Sequence, residues 1–108
     1  MTRVERERDL CAPHIIDLEV LDALRDMALQ RSAPVVRLEE ALADFEALTI
    51  ERYPHQVLLG RAWDLRDNLS SYDAAYVALA ELLNVPLLTR DARLARSSGH
   101  AARIEYID

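Results

Sequence analysis

Apolar residues recur every three or four positions through most of this chain, and in alternation or short runs through the remainder. Leu18, Leu21, Leu24 and Ala28 carry the helical spacing and predict a helix from Ile15 to Arg31, with Pro34 following the stop. Leu38, Leu42 and Phe45 predict a second helix over Leu38 to Leu48. Leu58, Leu59, Ala62 and Leu65 predict a third over His55 to Asn68, with Trp63 beside its inward stripe. The strongest pattern opens at Ser70 and runs to Leu83. Its expected buried stripe is Tyr72, Tyr76, Leu79, Ala80 and Leu83, with Asn84 suited to the C-cap and Pro86 just beyond. Between these lie shorter pieces. Leu10 to Pro13 is extended, Thr49 to Tyr53 alternates like a strand that Pro54 ends, and Val85 to Thr89 is an apolar run too short for a helix. Asp91 caps a short helix over Ala92 to Arg96, and Arg103 to Ile107 closes as a strand. Helices alternating with short apolar strands predict an α/β fold on a short, mostly parallel sheet.

Length and composition narrow the function classes. The chain has 108 residues, the size of one domain spanning residues 1–108, and its 51% apolar content excludes disorder as the main state. No apolar run approaches the ~18 residues of a membrane span, and Met1 to Asp9 is charged, unlike a signal peptide. A single cysteine, Cys11, excludes a disulfide framework and fits the cytoplasm. The net charge of -6 argues against holding nucleic acid by bulk charge, yet it permits an enzyme that meets phosphates through metal ions. All 13 basic residues are arginine, as GC-rich codons would give; the guanidinium is also the better bidentate phosphate donor. Two glycines exclude a Gly-rich phosphate loop. Ser70, Ser71 and Cys11 lack a base partner for nucleophilic catalysis. His14, His55 and His100 lack metal-ligand spacing and are expected on surfaces or caps.

Three acids remain. Glu19, Asp73 and Asp91 each fall at or near the start of a predicted helix. In an open parallel sheet the carboxyl ends of the strands share one edge, where ligands bind. Acids gathered there could hold a hard divalent cation, which takes carboxylate oxygens and keeps several waters. The plainer explanation is capping: first-turn acids favour the helix dipole, and Ser70-x-x-Asp73 resembles a capping box.

Beyond this point the residues resemble a known family. Ala12-Pro13-His14 to Glu19-Val20, with Ala23-Leu24-Arg25, is similar to a strand and following helix of PIN-domain ribonucleases of the VapC toxin type. So are LLGRAWDLRDNLSSYD from Leu58 to Asp73 and AAYVALAELLNVPLLTRDARLAR from Ala74 to Arg96. The resemblance implies an endoribonuclease dependent on Mg²⁺ or Mn²⁺, the toxin of a VapBC-type toxin–antitoxin pair, hydrolysing RNA. It implies four acids around the metal, of which Glu19 matches the second, Asp73 the third and Asp91 the fourth. Asp73 is the expected direct ligand, and Thr89 matches a hydroxyl position that orients Asp91. Arg66, Arg90 and Arg93 are candidate phosphate contacts. The implied partners are a VapB-type antitoxin and a second copy of the chain, served by apolar surface around Leu38, Leu42 and Phe45 and around Leu58, Leu59 and Trp63. An alternative is a catalytically impaired remnant that only pairs with an antitoxin or a sister chain.

The resemblance breaks at the front. The family opens with a central strand ending in its first acid, then a helix. Met1 to Asp9 is expected to supply neither, and Asp9 lies at no strand-to-helix corner, so the first ligand is absent from this sequence. Two strands would then flank a gap, leaving the domain N-terminally incomplete and poorly stable.

Overall fold

A five-stranded sheet in the order β3-β2-β1-β4-β5 organises the larger part of the chain in a computed structural model, which describes residues 2–6 and 9–107. The strands are β1 (Thr2–Arg6), β2 (Asp9–Pro13), β3 (Ile50–Tyr53), β4 (Leu87–Thr89) and β5 (Ile104–Tyr106). The helices are α1 (Ile16–Leu29), α2 (Val35–Ala47), α3 (Leu59–Asp64), α4 (Ser71–Leu83) and α5 (Ala92–Ala95), with a 3₁₀ turn at His55–Leu58 leading into α3. The chain divides into two compact units, Met1–His14 with Ile50–Asp108, and Ile15–Thr49.

The central slot of the sheet is filled, which corrects the expectation of a gap between two strands, although by an antiparallel strand that no helix follows. β1 occupies it and pairs antiparallel with both β2 and β4. The reason lies in the connection. Arg6 pairs with Asp9, and a parallel pairing would need a crossover of about a dozen residues, whereas an antiparallel one needs almost none. Apolar character was the wrong criterion here, because ladder hydrogen bonds come from the backbone and a Thr-Arg-Val-Glu-Arg segment supplies them as well as any other. The sheet is accordingly mixed: β2–β3 and β4–β5 are parallel, and both pairings of β1 are antiparallel. Asp9 opens β2 at the end opposite Pro13.

Helix α4 is the core of the sheet-bearing unit and packs against β1, β2 and β4. Ala74, Tyr76, Val77, Ala78, Leu79 and Ala80 are all buried, so its middle is covered nearly all round. This corrects the predicted stripe: Tyr72 is exposed and Leu83 half-buried. A helix buried on several sides does not display a one-sided pattern. Leu58, Leu65, Leu87 and Cys11 complete the core, while Leu59, expected inward, is exposed. The third predicted helix is broken, because residues 65–69 turn back through bonds onto the Leu65 carbonyl before Ser70 caps α4. At the far end Asn84, at φ 54°, takes the left-handed cap expected of it, and the Val85 N–H reaches the Ala80 carbonyl.

The second unit is a packed pair, α1 and α2. Helix α2 begins three residues earlier than its apolar spacing suggested, directly after Pro34, whose ψ of 140° sets the N-cap. Ile16 and Leu38 are buried, and Leu42 and Phe45 half-buried. Leu18 and Leu21, expected inward, are exposed, as are Leu29, Val35 and Val36. α1 ends in a Schellman-type turn with Arg31 at φ 55°, its N–H on the Ala28 carbonyl and that of Ser32 on Met27.

Candidate active site

The strand register defines one edge. Pro13 is level with Tyr53, Thr89 is level with Tyr106, and Thr2 pairs with Thr89. The carboxyl ends of β2, β3, β4 and β5 therefore share a side of the sheet, where ligands of open α/β sheets bind.

Asp91 lies at the corner where β4 gives way to α5. Thr89 is fully buried, and its hydroxyl oxygen accepts from the Asp91 backbone N–H at 3.0 Å. The carboxylate caps α5: Oδ1 accepts from the N–H groups of Arg93 at 2.9 Å and Leu94 at 3.3 Å. Both bonds fall on one oxygen, so the cap fixes the carboxylate while Oδ2 takes no part in it. Capping and site chemistry thus coexist in one residue.

Asp73 lies in the first turn of α4. Ser70 caps that helix, its hydroxyl accepting from the Asp73 N–H at 3.1 Å, which is the forward half of the capping box read from the sequence. Burial holds the Asp73 carboxyl above the ordinary carboxylate range; a hydrogen bond to Ser70 acts the other way, the charge of Asp91 raises it further, and Arg93 pulls it back. Two acids from different elements therefore sense each other across this edge, with Arg93 beside them. Burial and the neighbouring acid both disfavour the ionised form of Asp73, and Arg93 offsets part of this.

The remaining predicted residues fall as follows. Glu19 lies in the first turn of α1, half-buried, its N–H bonded to the Ile15 carbonyl, and it belongs to the Ile15–Thr49 unit. Arg90 and Arg93 are exposed next to Asp91. Arg66 is exposed too, but its guanidinium sits over the Trp63 ring, 4.5 Å from the centroid. Among the described residues, no three or more His, Cys, Asp or Glu side chains are grouped to hold a metal ion. The oxygen-only chemistry of Asp73 and Asp91 nevertheless fits Mg²⁺, which is held by one or two carboxylates plus waters.

Sequence reasoning missed three arrangements. His14 and His55, read as unrelated, bring their rings edge to face with centroids 6.0 Å apart. The signal was available, since Pro13 ends β2 and Pro54 follows β3, two strands that pair in parallel, and each proline is followed by a histidine. Arg61 and Glu81 form a bidentate pair at 2.7 and 2.9 Å, and Glu81 also accepts from the Ala101 N–H at 2.7 Å. The Trp63–Arg66 stack is the third.

The family model for the PIN domain matches residues 2–99. Ribonuclease VapC9 of Mycobacterium tuberculosis is 43% identical over 86 residues, covering 80% of this chain and 68% of that protein. Ribonuclease VapC1 of the same organism is 43% identical over 97 residues, covering 89% and 73%. Ribonuclease VapC12 is 40% identical over 96 residues, covering 89% and 74%. With a family model that matches most of its length and relatives 40–43% identical over most of it, the chain belongs to the PIN-domain family.

Proposed function

We propose that this protein is a metal-dependent endoribonuclease, the toxin of a VapBC-type pair, that hydrolyses RNA phosphodiester bonds at the Asp73–Asp91 edge. The observation that carries the reading is geometric: Asp91 is held at the β4–α5 corner by Thr89 and the α5 amides, and Asp73, in the first turn of α4, is near enough for the charge of Asp91 to act on it. Asp73 and Asp91 would hold Mg²⁺ or Mn²⁺, with Glu19 as a further ligand on the family pattern alone. When bound, such an ion lowers the pKa of a water and offsets charge on a phosphodiester. The chain's own residues do the positioning. Thr89 fixes the backbone at Asp91, the α5 amides fix the Asp91 carboxylate, and Ser70 orients Asp73. Arg90 and Arg93 are exposed at the same corner, placed to meet substrate phosphates.

The partner reading follows from the other unit. Leu18, Leu21 and Leu29 fall on one side of α1 by helical spacing and are exposed. They suit an apolar segment of a VapB-type antitoxin or a second copy of the chain. No helix among the described residues is long and apolar enough to cross a membrane; a cytoplasmic location is part of the same proposal.

Incubating the purified chain with structured and unstructured RNA in Mg²⁺, in Mn²⁺ and in EDTA tests the function. Cleavage is expected with either metal, none in EDTA, and a loss of at least ~100-fold in Asp73→Asn, as for a group acting at the reacting centre. Cleavage that survives EDTA and Asp73→Asn would place the chemistry elsewhere. No cleavage under any condition would leave a binding module.

A further inference from the structure

Trp63 is the single tryptophan of the chain, and it is 66% exposed although it stands in a helix packed on the core. Its contact with Arg66 is specific in geometry. The Arg66 guanidinium carbon lies 4.5 Å from the ring centroid, and Nη1 donates to the Trp63 carbonyl at 3.0 Å. That hydrogen bond pins the planar guanidinium over the indole, so part of the rotamer entropy that a long side chain loses on binding is already lost. A fixed cation over an open aromatic surface is the combination that holds unstacked bases of single-stranded RNA: the π-surface takes a base and the guanidinium offers a second plane and a charge.

The location relates this pair to the acidic edge within the same compact unit. Arg61 of α3 reaches Glu81 near the C-terminal end of α4. The chain then returns through residues 65–69 to the Ser70 cap at the other end, so α3 runs antiparallel to α4. Moving from Arg61 to Trp63 and Arg66 is therefore moving along α4 away from Glu81 and toward Asp73. Asp73 and Glu81 are eight positions apart on α4, about 12 Å of helix, and Trp63 stands two positions past Arg61 in the direction of Asp73.

We propose that Trp63 and Arg66 form a stacking platform for an unpaired nucleobase of the RNA, flanking the phosphodiester held at Asp73 and Asp91. The proposal rests on the nuclease reading and deepens it by assigning the chain a single-stranded substrate site. It also gives Arg66 a different role from a plain phosphate contact: its plane matters as well as its charge.

Having one tryptophan makes the test specific. The full chain carrying Asp73→Asn, which leaves RNA uncut, is titrated with a labelled single-stranded oligoribonucleotide while label anisotropy and tryptophan emission are followed together. The expected result is saturable quenching of Trp63 with the same midpoint as the anisotropy. An oligomer of equal length lacking bases should bind more weakly and leave the emission unchanged. Trp63→Ala should weaken binding roughly five- to 150-fold, the range of one base–aromatic stack, with Trp63→Phe restoring part. Arg66→Lys, which keeps the charge and loses the plane, should weaken binding as well. Anisotropy that rises with no change in emission would overturn the platform and leave the nuclease reading standing. Equal quenching by the base-free oligomer, or an Arg66→Lys variant that binds like its parent, would reduce the pair to an electrostatic contact and overturn it too. Emission that shifts with protein concentration and without RNA would assign the surface to a second copy of the chain, against the proposal. RNA that does not bind at all would fail both readings at once.

Discussion

Helices α4 and α1 are nearly equal in length, 13 and 14 residues, and both carry leucine and alanine at helical spacing. α4 buries six of its residues and α1 only Ile16. The difference is one of charge placement. α4 has no charged residue between Asp73 and Glu81, so its middle can be enclosed by sheet and neighbouring helix. α1 interleaves Asp17, Glu19, Asp22, Arg25 and Asp26 with its leucines, so it keeps water on several sides. One helix stabilises the unit it belongs to, and the other leaves apolar side chains at the surface.

The sharpest way to break this comparison is to truncate one leucine in each helix. Leu79→Ala, at a fully buried position, should cost about 2–5 kcal/mol in denaturant unfolding, while Leu21→Ala should stay within ~0.5 kcal/mol. A similar cost at both positions would mean that α1 is enclosed in the isolated protein. Leu21→Ala should instead show its effect as weaker antitoxin binding.

Asp73 and Glu81, at opposite ends of α4, respond to pH in opposite senses. Asp73 titrates above its unfolded value, so its ionisation opposes folding at neutral pH and ceases to do so below the unfolded pKa of about 3.9. Asp73→Asn should then melt at the same or a higher temperature than the parent at neutral pH in EDTA, with the difference closing as the solution is acidified. Glu81 titrates below its unfolded value, chiefly through its hydrogen bond from Arg61. Its stabilisation is complete above about pH 4.3 and disappears as pH falls through the folded pKa. Glu81→Gln should lower the melting temperature at neutral pH and have little effect in acid. Melting curves for both variants across that range decide whether the directions are right. A destabilised Asp73→Asn at neutral pH would count against the desolvated carboxylate.

The smallest effect sharpens the contrast at the end of α1. Arg31 holds φ at 55°, where a side chain is strained and glycine is not. Arg31→Gly should stabilise by roughly 0.5–1 kcal/mol after the entropy of the unfolded glycine is counted. A loss of stability would mean that the Arg31 side chain makes contacts worth more than the strain.

The strands and the corners were legible because proline, Ser70, Asn84 and Asp91 punctuate the chain where backbone groups need partners. Asp91 was legible as a helix start for the same reason, since it supplies the acceptor that α5 needs, and Asp73 as the first-turn residue whose N–H donates to Ser70. β1 was not, because its pattern is polar and a central strand was expected to be apolar; the ladder needed only backbone. Tyr72 and Leu59 were misread because helical spacing reports which residues share a side, without saying whether anything covers that side. The Trp63–Arg66 stack needed the turn at residues 65–69, which no periodicity announces.

The central claim is that Asp73 and Asp91 act as one unit toward a cation. Calorimetric titration of Mn²⁺ into the parent chain, Asp73→Asn, Asp91→Asn and the double variant tests it directly. Each single substitution should weaken binding nearly as much as both together, because removing either carboxylate dissolves the pair. Equal Mn²⁺ affinity in all four proteins, or losses that simply add, would contradict the account.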